Sequence, residues 1–528
     1  MITLIYIHAP QGAFQLLDDG SLVYKNPLVT SITPETLRGI FTTYDPELYI
    51  PLTLLSYQIE YALVDESPVL FHVTNVLLHM LNAVLVLFVV REMTKNRVIP
   101  FLTALLFAVH PLHTEAVMWI AARKDLLSAA FFLGSILFYC RLKHRASIAL
   151  FLGALLSKVV TATLPLVLLI VDDVVPPKKH MSKLPYYILA GVFLLIGMVG
   201  KTLSVYSLSY FQTFLLAGKS AVFYLQKMLV PTEFSVFYQQ LTPITIASKE
   251  FTLPLLALAL LFFIALKSRG ISKLISFGIL WYGVTLLPNL GNFSRVSKES
   301  IFFASDRYAY LPSIGIFLIV AYGASSIIEH RSRSIRIAAV AFMTVVIATL
   351  SCLTYRQSIV WLAPKSLFAH AANVEPRTHL AHMFLGMEAL GDDRFDDAVR
   401  NLQTATDLAP KFEIARAHLG LALIKNGDAD RGAEELQTVI AMNPQSKFGY
   451  EYLAYGQMLE GKSVDAKTTL THLLEIDPTN AQALQMLGTL AHQRGNVAEA
   501  KDYYERSIAL NDRSVRAKAA LARLLRDF

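Results

Sequence analysis

Two adjacent aspartates, Asp18 and Asp19, stand in the stretch FQLLDDGSLVYKNP. A carboxylate presented from a loop can take the proton of a hydroxyl nucleophile as general base, and a pair can instead hold a divalent cation through oxygen. The same Asp-Asp-Gly run is also an ordinary turn signal. Further along, His110, His113 and Glu115 precede Arg123, Lys124 and Asp125. The histidines and the glutamate do not have the spacing of a zinc-binding helix. Arg123 and Lys124 match an anion such as a lipid phosphate in charge and geometry, or else reach for the membrane interface. Lys158 lies in SKVVTATLP between apolar stretches. A lysine at membrane depth costs about 2.5 to 3.5 kcal/mol on insertion scales, so it needs an anion, either Asp172 or Asp173 or a phosphate. Asp306 and Arg307 in SDRYAYLPS pose the same choice between an ion pair and a phosphate contact. His72, Asn75, His79 and Asn82 recur at steps of three and four and so share one helix face. Such a stripe faces the interior of a bundle, either bonding neighbouring helices or, at His72, lining a cavity.

The elements that position these residues are mostly membrane helices. The 528 residues are 54% hydrophobic and only 16% charged, which lies outside the range of ordinary soluble proteins. Apolar runs occupy Leu70 to Val90, Val98 to Pro111, Leu126 to Cys140, Tyr186 to Thr202, Phe251 to Leu266, Ile271 to Leu287, Tyr308 to Ile328 and Ile337 to Leu353. The formal charge of +7 could suggest a nucleic-acid partner, but the basic residues cluster between these runs. The clusters are Arg91, Lys95 and Arg97; Arg141, Lys143 and Arg145; Lys178, Lys179 and Lys183; Lys267, Arg269 and Lys273; and Arg331, Arg333 and Arg336. That is the positive-inside pattern of a multi-spanning membrane protein, and no nucleic-acid partner is expected. All five clusters share one membrane face only if Ile148 to Val171 enters and leaves by the same side as a re-entrant hairpin. The long connections before Leu70, from Leu203 to Glu250 and from Pro288 to Asp306 then lie opposite the clusters, as does everything after Cys352. Cys140 and Cys352 fall on opposite faces, so no disulfide is expected. The chain opens on MITLIYI, too short for a span or a signal peptide.

From Tyr355 onward charged and polar residues dominate. Pro376, Pro410, Pro444 and Pro478 are 34 residues apart, and the next step lands on Asp512. This is the period of the tetratricopeptide repeat. Gly427, Gly461 and Gly495 fall in the turn between paired helices, and Ala398, Ala466 and Ala500 fall where one helix packs closely on its neighbour. Four repeats run from His379 to Asp512, and VRAKAALARLLRDF closes the stack. The expected architecture is all-α: a polytopic helical bundle over 1–354, a connecting segment over 355–378 and a repeat solenoid over 379–528. The concave face of such a solenoid holds an extended peptide, or the array serves as a spacer or dimerisation surface. No nucleotide fingerprint, serine-hydrolase elbow or thiol motif is present.

In family order, LLDDGSLVYKNP, YIPLTLLSYQIEY, FHVTNVLLHMLN, FAVHPLHTEAVMWIAARKDLLSA, LLSKVVTATLPL and SDRYAYLPSIG, followed by the repeats, resemble the transmembrane and tetratricopeptide-repeat proteins related to the protein O-mannosyltransferases. The resemblance implies the large integral-membrane glycosyltransferase fold and a polyprenyl or dolichyl phosphate sugar, often mannose, as donor. It places the acceptor-activating acidic pair at Asp18 and Asp19. The donor phosphate is expected to meet cations such as Arg123, Lys124, Lys158 and Arg307, with His72, His110, His113, Glu115 and Asp306 lining the cavity. A divalent cation, if one takes part, falls to Asp18 and Asp19. The chain is expected to depart from the family in its first spanning helix, missing or truncated, and departs in Ile50, where relatives tend to place arginine before Pro51. The reading is of a hexosyltransferase acting on Ser or Thr of proteins held by the repeats, in a bacterial plasma membrane with the repeats extracytoplasmic, or in an ER membrane with the repeats luminal. The competing reading is a non-catalytic membrane scaffold whose repeats recruit partners. The charge pattern makes one prediction at once: a reporter active only after export should be active when fused behind Phe528, and activity of a cytoplasm-only reporter there would overturn the topology.

Overall fold

Backbone in hydrocarbon has no water to bond, so apolar runs satisfy their peptide groups internally and fold as helices. In the computed structural model, which describes residues 1–44, 48–175, 182–201, 208–291, 294–297, 300–510 and 514–527, a helix covers each of the eight expected runs. Lys178, Lys179, Thr202, Leu203 and Asp512 lie outside the described residues. Among the described residues, Pro68–Met93, Lys249–Ser268 and Arg333–Val360 are long and apolar enough to cross a membrane unaided. Val98–Val109 and Pro111–Met118 pass the same test together, with a bend of 54° between them. The chain divides into two units, Met1–Glu375 and Pro376–Phe528.

Within the first unit the basic connections meet at one end. Arg141 pairs with Glu92 at 2.9 Å, and Asn96 donates to Glu329 at 2.7 Å and to Ser325 at 3.0 Å. Lys183 pairs with Asp172, while Asp173 takes Arg269 at 3.2 Å and Lys273 at 3.5 Å. The expected hairpin is present: His144–Ser157 leaves this end, a 3-10 turn over Val159–Thr163 reverses the chain, and Leu164–Val174 returns to it. The Tyr139 hydroxyl near the start of this excursion donates to Asp172 near its finish at 2.9 Å, which closes the hairpin at its base.

The opposite end carries Pro34–Thr42, Pro51–Val64 and a small sheet of β1 (Tyr238–Gln240), β2 (Ser294–Ser297) and β3 (Ser300–Ala304), in the order β1-β3-β2. The connection from 203 to 250, expected as a long loop, instead contains a 20-residue helix, Tyr210–Leu229. Ser209 and Gln212 cap it reciprocally, and it buries Leu215, Leu216, Tyr224 and Met228. Its charged and small positions, Gly218 and Lys219 among them, break the apolar run that would have marked it in the sequence. Part of the expected connecting segment also belongs to the first unit. Arg333–Val360 overruns its apolar core by two turns, and Pro364–Val374 packs back, with Phe368 stacked on Phe237 at 6.2 Å and His370 donating to the Phe234 carbonyl at 2.9 Å.

The second unit is a stack of helix pairs: His379–Gly391 with Phe395–Leu408, Glu413–Lys425 with Ala429–Met442, Lys447–Leu459 with Ser463–Ile476, and Ala481–Gln493 with Val497–Leu510. Gly427, Gly461 and Gly495 adopt φ of +94°, +73° and +73°, a left-handed turn that only glycine enters without strain. Ala398, Ala466 and Ala500 are fully buried, as expected for small packing residues. The last helix, Val515–Asp527, seals the stack by placing Leu524 against Ala491, Ala500 and Tyr504.

The helices Lys273–Leu286 and Ser313–Ile328 cross at bare backbone, for a Cβ added to Gly278 would lie 2.5 Å from the Gly315 carbonyl oxygen. This crossing fixes the turn at Leu311, whose carbonyl accepts from Trp281 Nε1 at 2.9 Å. Gly278→Ala is therefore expected to lower the thermal midpoint in detergent by several degrees, at a cost of about 1–3 kcal/mol for overpacking. Gly283→Ala, on the same helix with nothing within 4 Å, should leave it unchanged or raise it.

Candidate functional site

Past the bend at His110, the α-helix ending at Met118 gives way at Trp119 to a single 3-10 turn, Ile120–Ala122, inside the bundle, and the peptide groups left outside the α-helical ladder need partners. Side chains supply them. Asn75 donates to the Trp119 carbonyl at 3.1 Å, the Tyr57 hydroxyl to the Ile120 carbonyl at 2.7 Å, and Lys124 Nζ to the Ala121 carbonyl at 2.9 Å. The Ala121 N–H donates to Asp19 Oδ1 at 2.9 Å, while Asp19 Oδ2 accepts from the Gln15 N–H at 2.7 Å. Asp19 is thus a fully buried clip between the first loop and the helix break. Burial pushes its carboxyl up from 3.8 to about 7, against the opposing pull of the Gln15 and Ala121 N–H groups. Its neighbour Asp18 is exposed. The two carboxylates that looked equivalent in sequence face different surroundings, one fixed inside and one open.

Four cations surround this clip. Arg123 is fully buried and heavily engaged: it pairs with Glu60 at 2.7 Å, donates to Asn75 at 3.0 Å and the Phe71 carbonyl at 2.9 Å, and lies over the Tyr57 ring at 4.7 Å. Lys124 lies over Trp119 at 5.7 Å, and Arg307 lies over the same ring at 4.7 Å and over Tyr308 at 4.8 Å. Arg307 also pairs with Glu115, whose second oxygen accepts from the Asp306 N–H at 2.9 Å. Lys158, at the hairpin apex, pairs with Asp125 at 2.5 Å rather than with Asp172 or Asp173, which the basic end has already taken. Asp306 accepts from the Tyr238 hydroxyl at 3.0 Å, and burial together with Glu115 holds its carboxyl well above the ordinary 3.8.

The histidines are placed as structural links. His110 donates from Nε2 to the Met228 carbonyl at 3.1 Å and accepts the Leu112 N–H on Nδ1 at 3.2 Å. His113 donates from Nδ1 to the Phe107 carbonyl at 2.8 Å, with Nε2 3.0 Å from the Ser313 hydroxyl. His72 is buried beneath the first loop, where a Cβ on Gly12 would come within 2.7 Å of its Nε2. His79 and Asn82 of the same stripe both reach the Tyr310 hydroxyl, at 2.8 and 3.1 Å, so the stripe serves interhelical bonding. Among the described residues, no group of three or more His, Cys, Asp or Glu side chains is arranged to hold a metal ion.

Sequence reasoning missed Glu60 as the counter-ion of Arg123 and Asp125 as that of Lys158. Glu60 had a signal of the same kind as Lys158, a lone charge inside an apolar helix, in YIPLTLLSYQIEY. Trp119, which carries two cations on its ring, had none beyond its type.

A multi-helix membrane unit joined to a repeat array defines a class. The second unit consists of tetratricopeptide repeats, matching that family's model over residues 389–449 and 457–524. Over much of its length the chain has homologues named protein O-mannosyl-transferases. It is similar to Protein O-mannosyl-transferase TMTC4 of Homo sapiens, at 27% identity over 416 residues covering 64% of this chain and 55% of that protein. It is similar also to Protein O-mannosyl-transferase F38B6.6 of Caenorhabditis elegans, at 26% identity over 445 residues, 76% of this chain and 61% of that one. A shorter segment of 148 residues, 26% of this chain and 16% of the relative, is 36% identical to Protein O-mannosyl-transferase TMTC1 of Mus musculus. The chain spans little more than half the length of the relatives it matches most broadly.

The clip can be tested by pH. With a folded-state value above the unfolded one, Asp19 favours the fold in its protonated form, so its contribution is complete below about pH 4 and is lost as pH rises to about 7. Asp19→Asn should be less stable at pH 4 and below, by about 1–3 kcal/mol, because an amide turns an N–H toward one of the two donors. Its stability should also lack the decline between about pH 4 and pH 7 seen in the parent. Parallel pH profiles in thermal unfolding would contradict this placement of Asp19.

Proposed function

We propose that the chain is a membrane glycosyltransferase of the large integral-membrane class, moving a hexose, most consistent with mannose, from a polyprenyl or dolichyl phosphate to Ser or Thr of a protein. The observation that carries this reading is the unequal acidic pair: Asp19 fastened to the backbone at Gln15 and Ala121, and Asp18 left exposed beside it. A rigid neighbour holding an open carboxylate is the arrangement a general base requires. In the proposed reaction Asp18 takes the hydroxyl proton, the hydroxyl oxygen forms a bond to the anomeric carbon, and the bond from that carbon to the phosphate oxygen breaks, releasing the lipid phosphate. Inversion follows from attack opposite the leaving group.

Lys124 and Arg307, which share the Trp119 ring, are the cations we assign to the departing phosphate; they would stabilise charge developing on it. Arg123, fully buried and spent on Glu60, Asn75 and the Phe71 carbonyl, and Lys158, spent on Asp125 at the hairpin apex, support the site instead. The repeats are assigned to the acceptor. Phe448, exposed on the first helix of the third repeat and packed at 5.5 and 5.7 Å on the rings of buried His418 and half-buried Tyr452, offers an apolar face suited to an extended peptide. Tethering the acceptor in this way raises the local concentration of hydroxyls. The side of the membrane follows from the charge pattern: basic end cytoplasmic, acidic pair and repeats outside or luminal. No divalent cation is required by this scheme, though the exposed Asp18 leaves room for one.

The test is transfer by membranes containing the full chain, supplied with a panel of polyprenyl phosphate sugars. Asp18→Asn should reduce transfer by about 10² to 10⁴ with normal expression, since Ser and Thr hydroxyls are too weakly acidic to ionise unaided. Glu434→Gln, at an exposed position in the repeats, should not change it. Unimpaired transfer by Asp18→Asn would remove the base, and no transfer from any donor would favour the scaffold.

A further inference from the structure

Beneath the Arg307 and Lys158 pairs lies a narrow cavity lined by Asp125, Thr163, Asn289, Arg307, Tyr308 and Leu311. Three of its buried polar atoms have no partner: Asp125 Oδ2, Asn289 Oδ1 and Arg307 Nε. Asp125 spends its other oxygen on Lys158, and Asn289 spends its amide nitrogen on the Tyr308 carbonyl at 3.4 Å. Both side chains are only 8% exposed, so bulk water does not reach the idle oxygens. An unsatisfied buried acceptor costs about 1–3 kcal/mol, which a ligand offering donors recovers.

The unsatisfied atoms define what that ligand is. Two acceptors and one donor call for groups that both donate and accept, which hydroxyls do and phosphates at neutral pH do not. Charge points the same way: Asp125 and Glu115 already neutralise Lys158 and Arg307, so the cavity has no surplus positive charge to attract an anion. Its narrowness admits the edge of a ring rather than a whole one.

We propose that this cavity takes a vicinal diol of the donor hexose, one hydroxyl donating to Asp125 Oδ2 while accepting from Arg307 Nε, and the next donating to Asn289 Oδ1. The inference rests on the reading of the chain as a glycosyltransferase and adds to it a sugar-recognising subsite. Asn289 is then a specificity residue, and Arg307 serves sugar and phosphate from different nitrogens.

The discriminating variant is Asn289→Ala, which leaves the Lys158–Asp125 and Arg307–Glu115 pairs intact. The full chain in detergent is titrated with polyprenyl phosphate mannose and, separately, with bare polyprenyl phosphate, reading protection against thermal unfolding. In the parent the mannosyl lipid should bind more tightly than the bare lipid, and Asn289→Ala should weaken the mannosyl lipid about 5- to 10-fold while leaving the bare lipid unchanged. Equal protection by the two lipids in the parent, including none by either, overturns the subsite, as does equal weakening of both in the variant. A sugar-specific loss in a protein that transfers to no acceptor would retire the catalytic reading and keep the subsite. Mannose transfer with unchanged kinetics in Asn289→Ala would do the reverse.

Discussion

The architecture of the first unit turns on four residues that break the α-helical ladder. Trp119 to Ala122 interrupt the bundle where backbone polar groups have no solvent, and each exposed peptide group there costs several kcal/mol unless something bonds it. Asp19, Tyr57 and Asn75 do so from three separate parts of the chain, and Lys124 from the helix that follows. The need to satisfy one stretch of backbone thereby draws the first loop, the helix Pro51–Val64 and the polar stripe of Pro68–Met93 onto a single point. What looks like an assembly of catalytic side chains is first a solution to a solvation problem.

The same reasoning governs the charges. Arg123, Lys158 and Arg307 each carry a carboxylate partner, Glu60, Asp125 and Glu115, and none of the three pairs is free to dissociate into water. A buried pair contributes little net stability, because desolvation offsets attraction, but losing one member leaves an expensive lone charge. The pairs therefore fix geometry more than they add stability. They leave Lys124, which bonds only its own turn's carbonyl, and the buried Nε of Arg307 as donors with capacity to spare.

Much of this was legible in the residues. Helices written in long apolar runs declared themselves, and the arrangement of basic clusters required the hairpin that the structure contains. Pro51–Val64 did not declare itself, since Thr53, Ser56, Gln58 and Glu60 interrupt its apolar pattern; these same residues face inward and bond Ser157, Thr53, Leu28 and Arg123. That Lys158 needed an anion could be read from its surroundings, but which one could not. Asp125 lies 33 residues earlier on another helix, and the nearer Asp172 is consumed at the far end of the bundle. Nor could Asp18 be told from Asp19, because adjacent identical side chains differ only in what the fold packs around them.

The repeats carry a different consequence. Each pairs a small residue on its first helix with a large one on its second: Gly386 faces Leu402, Gly420 faces Leu436, and Gly488 faces Tyr504, while Ala454 clusters with Leu470. The matching differs along the array, for the first two repeats share a Gly–Leu pair and the last two do not, while Gly432 replaces the alanine of its equivalents and would meet the Gly420 carbonyl at 2.7 Å if given a Cβ. Exchange of a single helix between repeats would set Tyr504 against Ala454, or an alanine against Gly420. Exchange, loss or duplication of a whole 34-residue pair keeps every such match. Recombination in this array therefore has a natural quantum, and its length can drift over evolutionary time only in steps of one pair.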